Sequence, residues 1–322
     1  MITYLEAIRQ ALQEEMRRDP NVFLLGEDIG DFGGAFKVTE GLIAEFGADR
    51  VIDTPISEAG FTGMAVGAGM MGMRPVVEFQ FSDFMSCAFD QITNFAAKTH
   101  YRFGVPVPVV FRAPTGGGFN GGPFHSGCLE SHFVSTAGLK IVAPATVYDA
   151  KGLLKAAIRD NNPVLYLEHK YLYRRVKAEL NGEDYVVPIG QAAVRTEGDR
   201  LTILTYGAML HVCVDALKQI SNTEGAVELI DLRTLVPLDK ETILTSVKKT
   251  GKVLIVHEAS RTGGFAGELS AIIADEAFEY LDGPVRRVTA PDIPVPFSPP
   301  LEDFYLPNAD DVAQAVRELL AY

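Results

Sequence analysis

Two stretches of the sequence combine residue types and spacings that can do chemistry. The first is Asp53-Thr54-Pro55-Ile56-Ser57-Glu58-Ala59-Gly60-Phe61, which places Glu58 where an apolar strand ends and a helical pattern begins. In open α/β sheets ligands bind at the carboxyl ends of strands, so a carboxylate here projects toward a site. Ile56, Ala59, Phe61 and Met64 are expected to wall it with apolar surface, where a carboxyl tends to stay protonated and serve as a proton donor. The competing reading is a first-turn carboxylate held by the helix dipole.

The second stretch is Gly116-Gly117-Gly118-Phe119-Asn120-Gly121, which runs into Phe124-His125-Ser126-Gly127-Cys128 and on to His132. Its glycines have the spacing Gly-x-Gly-x-x-Gly, but a dinucleotide fingerprint also needs a helix opening at the loop and an acidic residue about 20 positions on. Pro114 and Pro123 bracket the loop instead, which favours a flexible active-site loop. His125 is then a candidate for catalysis, against the alternative of a solvated loop histidine. His125, Cys128 and His132 read as metal ligands lack a distant fourth ligand, and a Cys–His nucleophile pair lacks an orienting group. Gly263 to Gly267 reads as a tight turn with close helix packing. Gly63, Gly67 and Gly69 call for a closely packed helix, a second subunit among the candidates.

The elements that must position these residues alternate. Thr3 caps a first helix with Glu6 reaching back, Leu5, Ile8, Leu12 and Met16 line its buried face, and Pro20 stops it. Apolar runs at 22–25, 51–52, 75–81, 107–111, 140–143 and 164–167 read as strands. Helical patterns fill 40–46, 58–71, 83–98 and 148–159 between them. The helix after Asp83 is expected to bury Phe84, Cys87, Ala88, Ile92 and Phe95. Charged and turn-forming residues, Asn181-Gly182 among them, mark a boundary. A second set then follows, with strands at 201–205, 227–232, 253–256 and 285–288 and helices at 209–221, 239–249 and 264–280. The proline-rich 291–307 is expected to be irregular, ahead of a last helix at 309–320. The alternation predicts an α/β protein built on parallel sheets, with domains at 1–180 and 199–322 joined by a linker at 181–198.

Composition bounds the function classes. With 322 residues, 47% hydrophobic, the chain can bury the cores of two domains. Its 42 acidic against 29 basic residues disfavour a nucleic-acid or anionic-membrane binder and suit a basic partner. Three cysteines without a Cys-x-x-Cys make no disulfide framework and point to a reduced, cytoplasmic setting. The longest uncharged run, Ala59 to Met73, is too short and glycine-rich to span a bilayer, and the N-terminus carries no signal pattern.

Taken together, Leu24-Leu25-Gly26-Glu27-Asp28, Asp53 to Glu58, Arg74-Pro75 through Gln80-Phe81-Ser82-Asp83-Phe84, Asp149 to Leu153, Ile158 to Pro163 and Asp231-Leu232-Arg233-Thr234 resemble the β chain of the decarboxylating dehydrogenase in 2-oxo acid dehydrogenase complexes. The resemblance runs over essentially the whole chain. It implies a thiamin diphosphate enzyme, an N-terminal pyrimidine-binding domain, a transketolase-like C-terminal domain and an α2β2 heterotetramer with an α subunit. By resemblance Glu58 engages the ring nitrogen of the cofactor's aminopyrimidine, Gln80 and Phe84 contact the pyrimidine, and Ile56 supplies a backbone contact. His125 assists acyl transfer to the lipoyl group. No Gly-Asp-Gly occurs in the sequence, so Mg2+ and the diphosphate fall mainly to the α subunit. A structural potassium (K+) site is implied at Val109, Ala157, Ile158, Asp160 and Asn162. Glu302, Asp303, Asp310 and Asp311 are candidates for docking the lipoyl acyltransferase core. Local segments lean toward branched-chain members at 80–83 and 171–176, and toward pyruvate and acetoin members at 57–61 and 291–307. Ser126-Gly127-Cys128 departs from the family's common Ser-Gln-Ser. A nucleotide-binding oxidoreductase remains the alternative from another class.

Overall fold

The computed structural model describes residues 1–180, 182, 184–220 and 226–322. Asn181 of the expected turn and position 221 of the expected helix end lie outside them. The chain divides into two compact units, Met1–Thr115 with His132–Ile189 and Gly116–Ser131 with Gly190–Tyr322. The glycine-rich loop therefore groups with the second unit, although its flanks belong to the first.

The first unit opens with β1 (Ile2–Thr3) and α1 (Tyr4–Arg18). Thr3 and Glu6 form a reciprocal capping box, satisfying two backbone donors that the helix start would orphan. Leu5, Ile8, Leu12 and Met16 are all buried, as their spacing requires. Next come β2 (Val22–Gly26), α2 (Leu42–Phe46), β3 (Val51–Asp53), α3 (Glu58–Met70), β4 (Arg74–Glu78), α4 (Ala97–Phe103), β5 (Val110–Thr115), β6 (Lys140–Val142), α5 (Val147–Arg159), β7 (Val164–His169) and β8 (Lys177–Ala178). Strands β6-β7-β5-β4-β2-β3 pair in that order, all parallel. Covered on both faces, β2, β5 and β7 bury every residue and therefore read as unbroken apolar runs rather than alternating ones. A short antiparallel ribbon joins β1 to β8.

The second unit contains β9 (Ala193–Thr196), β10 (Leu201–Thr205), α6 (Met209–Lys218), β11 (Val227–Asp231), β12 (Thr234–Val236), α7 (Lys240–Thr250), β13 (Val253–Ser260), α8 (Ala266–Glu276), β14 (Arg286–Ala290), α9 (Pro299–Tyr305) and α10 (Ala309–Ala321). Its sheet runs β14-β13-β10-β11-β9, parallel except for the antiparallel edge strand β9.

Two expectations are corrected. Residues 83–98 are not one α-helix but a 3-10 stretch, Ser82–Ala88, followed by a wide π-turn stretch, Gln91–Ala96. Three residues per turn, and then more than four, shift the helical phase. Ala88 and Ile92 accordingly stay buried, Phe84 is half-buried, and Cys87 and Phe95 face outward. The proline-rich segment is not wholly irregular either, because Pro299 and Pro300 open α9. A first-turn proline forgoes an N–H that would have no partner anyway and presets the helical φ.

Candidate active site

Glu58 is the first residue of α3, five positions after β3 ends at Asp53, and its cap Ser57 makes no side-chain capping bond. Beside it the end of β2 contributes Glu27, which is buried and has an Oε1 without a hydrogen-bond partner. Burial pushes the Glu27 carboxyl up, and the charges of Glu58 and Asp28 push it further. Past the end of β4, Gln80 Nε2 donates to Asp28 Oδ2 at 3.3 Å, and the Phe84 ring meets Phe81 edge-on at 5.7 Å. The carboxyl ends of β2, β3 and β4 thus converge two acids, Glu27 and Glu58, with an amide and an aromatic face. An aminopyrimidine requires that chemistry: a carboxyl for a ring nitrogen, a polar side chain and a flat apolar contact. Glu27 carried no role in the sequence reading, though the strand-end position that singled out Glu58 applies to it equally.

The apolar wall expected around Glu58 is not built by the residues named for it. Ile56 is 84% exposed, Met64 is 49% exposed and Ala59 faces outward, while Phe61 turns into the core against Phe79 at 5.7 Å. Helical spacing explains this, since a face that buries Phe61 and Ala65 must point residues 60, 64 and 67 away from the core. Of the helix glycines, Gly69 is approached by Val109 Cγ2 and Gly63 by Gln91, whereas Gly67 has open space around it.

His125 lies half-buried in the second unit, at the end of a 3-10 turn spanning Gly122–Phe124. No helix opens at Gly116 to Gly121, and the loop's amides already have acceptors. Gly117 N donates to Glu258 Oε1 at 2.6 Å, Gly118 N to Glu302 Oε1 at 3.1 Å and Asn120 N to Glu302 Oε2 at 2.9 Å. Amides held by buried carboxylates are not offered to a phosphate, which removes the dinucleotide reading of this loop. Glu302 is 2% exposed, so it is withdrawn as a docking residue. Asp303 and Asp310 are exposed, and Asp311 accepts from Asn308 N in the capping box of α10. Further along the loop, Tyr206 OH donates to Glu130 Oε1 at 2.6 Å, and burial beside that carboxylate raises the phenol.

In the first unit, Arg112 on β5 bridges Glu78 and Glu168, each at 2.5 Å, and Tyr173 OH donates to Glu168 at 2.8 Å. Sequence reasoning missed this group because a lone arginine in an apolar strand gives no signal of its partners. At the end of α5, Val109 O accepts from Val164 N, Ala157 O from Asp160 N, and both Ile158 O and Asp160 O from Arg74 Nη1. The Asp160 carboxylate takes Asn162 N and Lys140 Nζ. Among the described residues no group of three or more His, Cys, Asp or Glu is arranged to hold a metal ion, and no helix is long and apolar enough to cross a membrane. None of the three cysteines is in a disulfide.

Comparison with known proteins adds four findings. The transketolase pyrimidine-binding domain model matches residues 1–176 and the transketolase C-terminal domain model residues 190–312. The chain is 47% identical to the 2-oxoisovalerate dehydrogenase subunit beta of Bacillus subtilis (strain 168), over 100% of this chain and 99% of that protein. It is 44% identical to the pyruvate dehydrogenase E1 component subunit beta of the same organism, again over 100% and 99%. In fold it is similar to a split-gene transketolase solved as an inactive β4 tetramer, with a TM-score of 0.81 at 24% identity, covering 99% of this chain and 98% of that one.

Proposed function

This chain belongs to the family of β subunits of 2-oxo acid dehydrogenases, and on that premise we propose that it forms half of a thiamin diphosphate site for oxidative decarboxylation of a 2-oxo acid and reductive acylation of lipoamide. The observation that carries the reading is the placement of Glu58 past a strand end beside the buried Glu27, whose carboxyl burial and the neighbouring acids push up. When bound, the cofactor supplies the electron sink for decarboxylation. The chain's own residues position it and manage protons. Glu58 holds a proton at the pyrimidine nitrogen, Gln80 and Phe84 fix the ring, and Ile56 offers a backbone contact. His125 serves the later acyl transfer to the lipoyl group.

The rest of the site falls to a partner. Without a Gly-Asp-Gly, this chain leaves Mg2+ and the diphosphate to an α subunit in an α2β2 heterotetramer. Ile56, Met71 and Tyr101, 84%, 85% and 95% exposed, supply apolar surface for such a partner to cover. The exposed Asp303, Asp310 and Asp311 remain the candidates for docking the lipoyl acyltransferase core. A potassium ion at Val109, Ala157, Ile158, Asp160 and Asn162 would use an Asn162 oxygen and the second lone pairs of the other four carbonyls, each of which already accepts a hydrogen bond within the chain. A melting temperature unaffected by exchanging potassium for choline would remove it. Cytoplasmic placement belongs to the same proposal.

A branched-chain 2-oxo acid is the first candidate substrate and pyruvate the second. Co-expression with the genomic α neighbour, followed by decarboxylation assays on 3-methyl-2-oxobutanoate, pyruvate and acetoin, tests the proposal. The assembled enzyme is expected to prefer 3-methyl-2-oxobutanoate, and the β chain alone to turn over nothing. Appreciable turnover by a homogeneous β preparation would overturn the half-site reading.

A further inference from the structure

The loop that carries His125 is held in an unusual conformation by a residue outside it. Gly116, Gly118 and Gly122 have φ of 83°, 83° and 69°, and Asn120, a non-glycine, sits at 61°. Left-handed backbone at a residue with a side chain costs free energy unless its surroundings impose it. Here they do. Both oxygens of Glu302 are spent on this loop, one on Gly118 N at 3.1 Å and one on Asn120 N at 2.9 Å, and Glu258 takes Gly117 N at 2.6 Å. Glu302 is 2% exposed and Glu258 6%, so neither carboxylate has bulk water as an alternative partner. A Cβ at Gly122 would stand 2.4 Å from the Phe297 ring, which fixes the far side of the turn just before His125. The short helix α9 is oriented so that Glu302 and Tyr305 point inward while Leu301 and Phe304 are 56% and 77% exposed.

We propose that Glu302 is a positioning residue for the acyl-transfer step: through the amides of Gly118 and Asn120 it sets the loop geometry in which His125 works. The proposal rests on the role given to His125 above. Two acceptor oxygens on one side chain explain why a carboxylate is required. Glutamine has one oxygen and would turn its NH2 toward the second amide, leaving that donor unsatisfied.

The test uses the assembled enzyme with its α partner and compares Glu302→Gln, Glu302→Asp, His125→Ala and the double variant Glu302→Gln/His125→Ala. Reductive acylation of a lipoyl domain gives kcat and KM, and hydrogen exchange of the peptide covering 116–122 reports the loop. Glu302→Gln is expected to speed exchange at least about tenfold and to lower the acylation kcat between about ten- and a hundredfold, with KM for the lipoyl domain held. The double variant should be no slower than His125→Ala, because Glu302 acts through that histidine. Glu302→Asp keeps both acceptor oxygens on a stem one methylene shorter, so rate and loop protection should fall together to values between those of wild type and Glu302→Gln, and it takes the place of Glu302→Gln throughout the comparison if that variant does not assemble. An equal fractional loss in the His125→Ala background, faster exchange without a rate loss, or recovered rate without recovered protection would each overturn the proposal. If His125→Ala acylates normally, the assignment of His125 itself fails, and the proposal with it. The exchange data separate that case from failure of the Glu302 contact.

Discussion

Replacing Arg112 with methionine keeps an unbranched apolar stem and removes the cation that bridges two buried carboxylates. In the native chain the Arg112 side chain is 1% exposed, Glu78 5% and Glu168 0%, with both ion pairs at 2.5 Å. The carboxylates raise the Arg112 guanidinium, so the arginine is charged at every accessible pH. Burial raises the Glu168 carboxyl, Arg112 pulls it back down, and Glu78 adds to the rise. Removing one member of a buried pair costs about 3–5 kcal/mol, because the remaining charge keeps its desolvation penalty. Here one carboxyl can take a proton and share it with the other, so the loss should stay near one pair's worth rather than two. At about 2–4 °C per kcal/mol for a unit of this size, the melting temperature should fall by roughly 6–20 °C.

The sign of the pH dependence follows from that proton. A carboxyl whose folded pKa lies above its unfolded value binds a proton on folding. Its penalty is absent below the unfolded pKa and grows as pH rises toward the folded one. Arg112→Met enlarges this upward shift, so its deficit relative to wild type should grow with pH, by at most about 1.4 kcal/mol per pH unit, over the window between the wild-type and the variant carboxyl's folded pKa. Thermal melts followed by far-UV circular dichroism from pH 5 to 8 measure the difference. The triple change Glu78→Leu, Arg112→Met and Glu168→Leu, which leaves no charge to bury, should recover most of the loss. A deficit independent of pH, or a triple variant no more stable than the single one, would refute the reasoning.

Four further outcomes are expected. Burial, helped by the charge of Arg287, lowers His257 to about 4 from an ordinary 6.5, so the folded chain refuses a proton that the unfolded chain accepts. Stability should therefore fall by about 3 kcal/mol as pH drops from 6.5 to 4, and His257→Gln should remove that share of the acid limb in a pH-resolved melt. Thr3→Ala breaks the α1 capping box and should cost about 1 kcal/mol in denaturant unfolding. Gly122→Ala meets both φ of 69° and the Phe297 ring, and it should raise proteolytic cleavage of the loop well beyond wild type. Glu58→Gln in the assembled enzyme should lower decarboxylation by about 10²–10⁴-fold; a variant at full rate would reduce this chain to a scaffold.

Legibility of the fold tracked the strength of each local signal. The α1 helix was readable to its cap because Thr3, Glu6 and the 3.6-residue stripe all agree. The parallel strands were readable as buried apolar runs. The segment after Asp83 was not, since its composition suits a helix while its turns change from 3-10 to π geometry, a choice made by packing rather than by propensity. Glu302 looked like part of an acidic surface in Leu301-Glu302-Asp303, and only the orientation of α9 makes it a buried acceptor for amides 182 and 184 residues away in sequence. Such long-range hydrogen bonds leave no period or motif behind.

The cluster at the strand ends has its own logic. Glu27, Asp28 and Glu58 gather negative charge where the chain supplies no ion pair for Glu27 among the described residues, and Glu27 Oε1 has no hydrogen-bond partner there. A buried acceptor left unmatched costs about 1–3 kcal/mol, which a fold tolerates where binding later satisfies it. Arg112 shows that this sequence can neutralise buried acids when structure alone is at stake, for Glu78 and Glu168, one and three strands away from β2, share its fixed cation on the strand between them. Leaving Glu27 without one, among the described residues, keeps its carboxyl raised by burial and by the charge of Glu58. A ligand or partner that supplies the missing donor should therefore raise the melting temperature of the assembled enzyme, and that gain should shrink in Glu27→Gln, whose amide can bring its own donor to the pair.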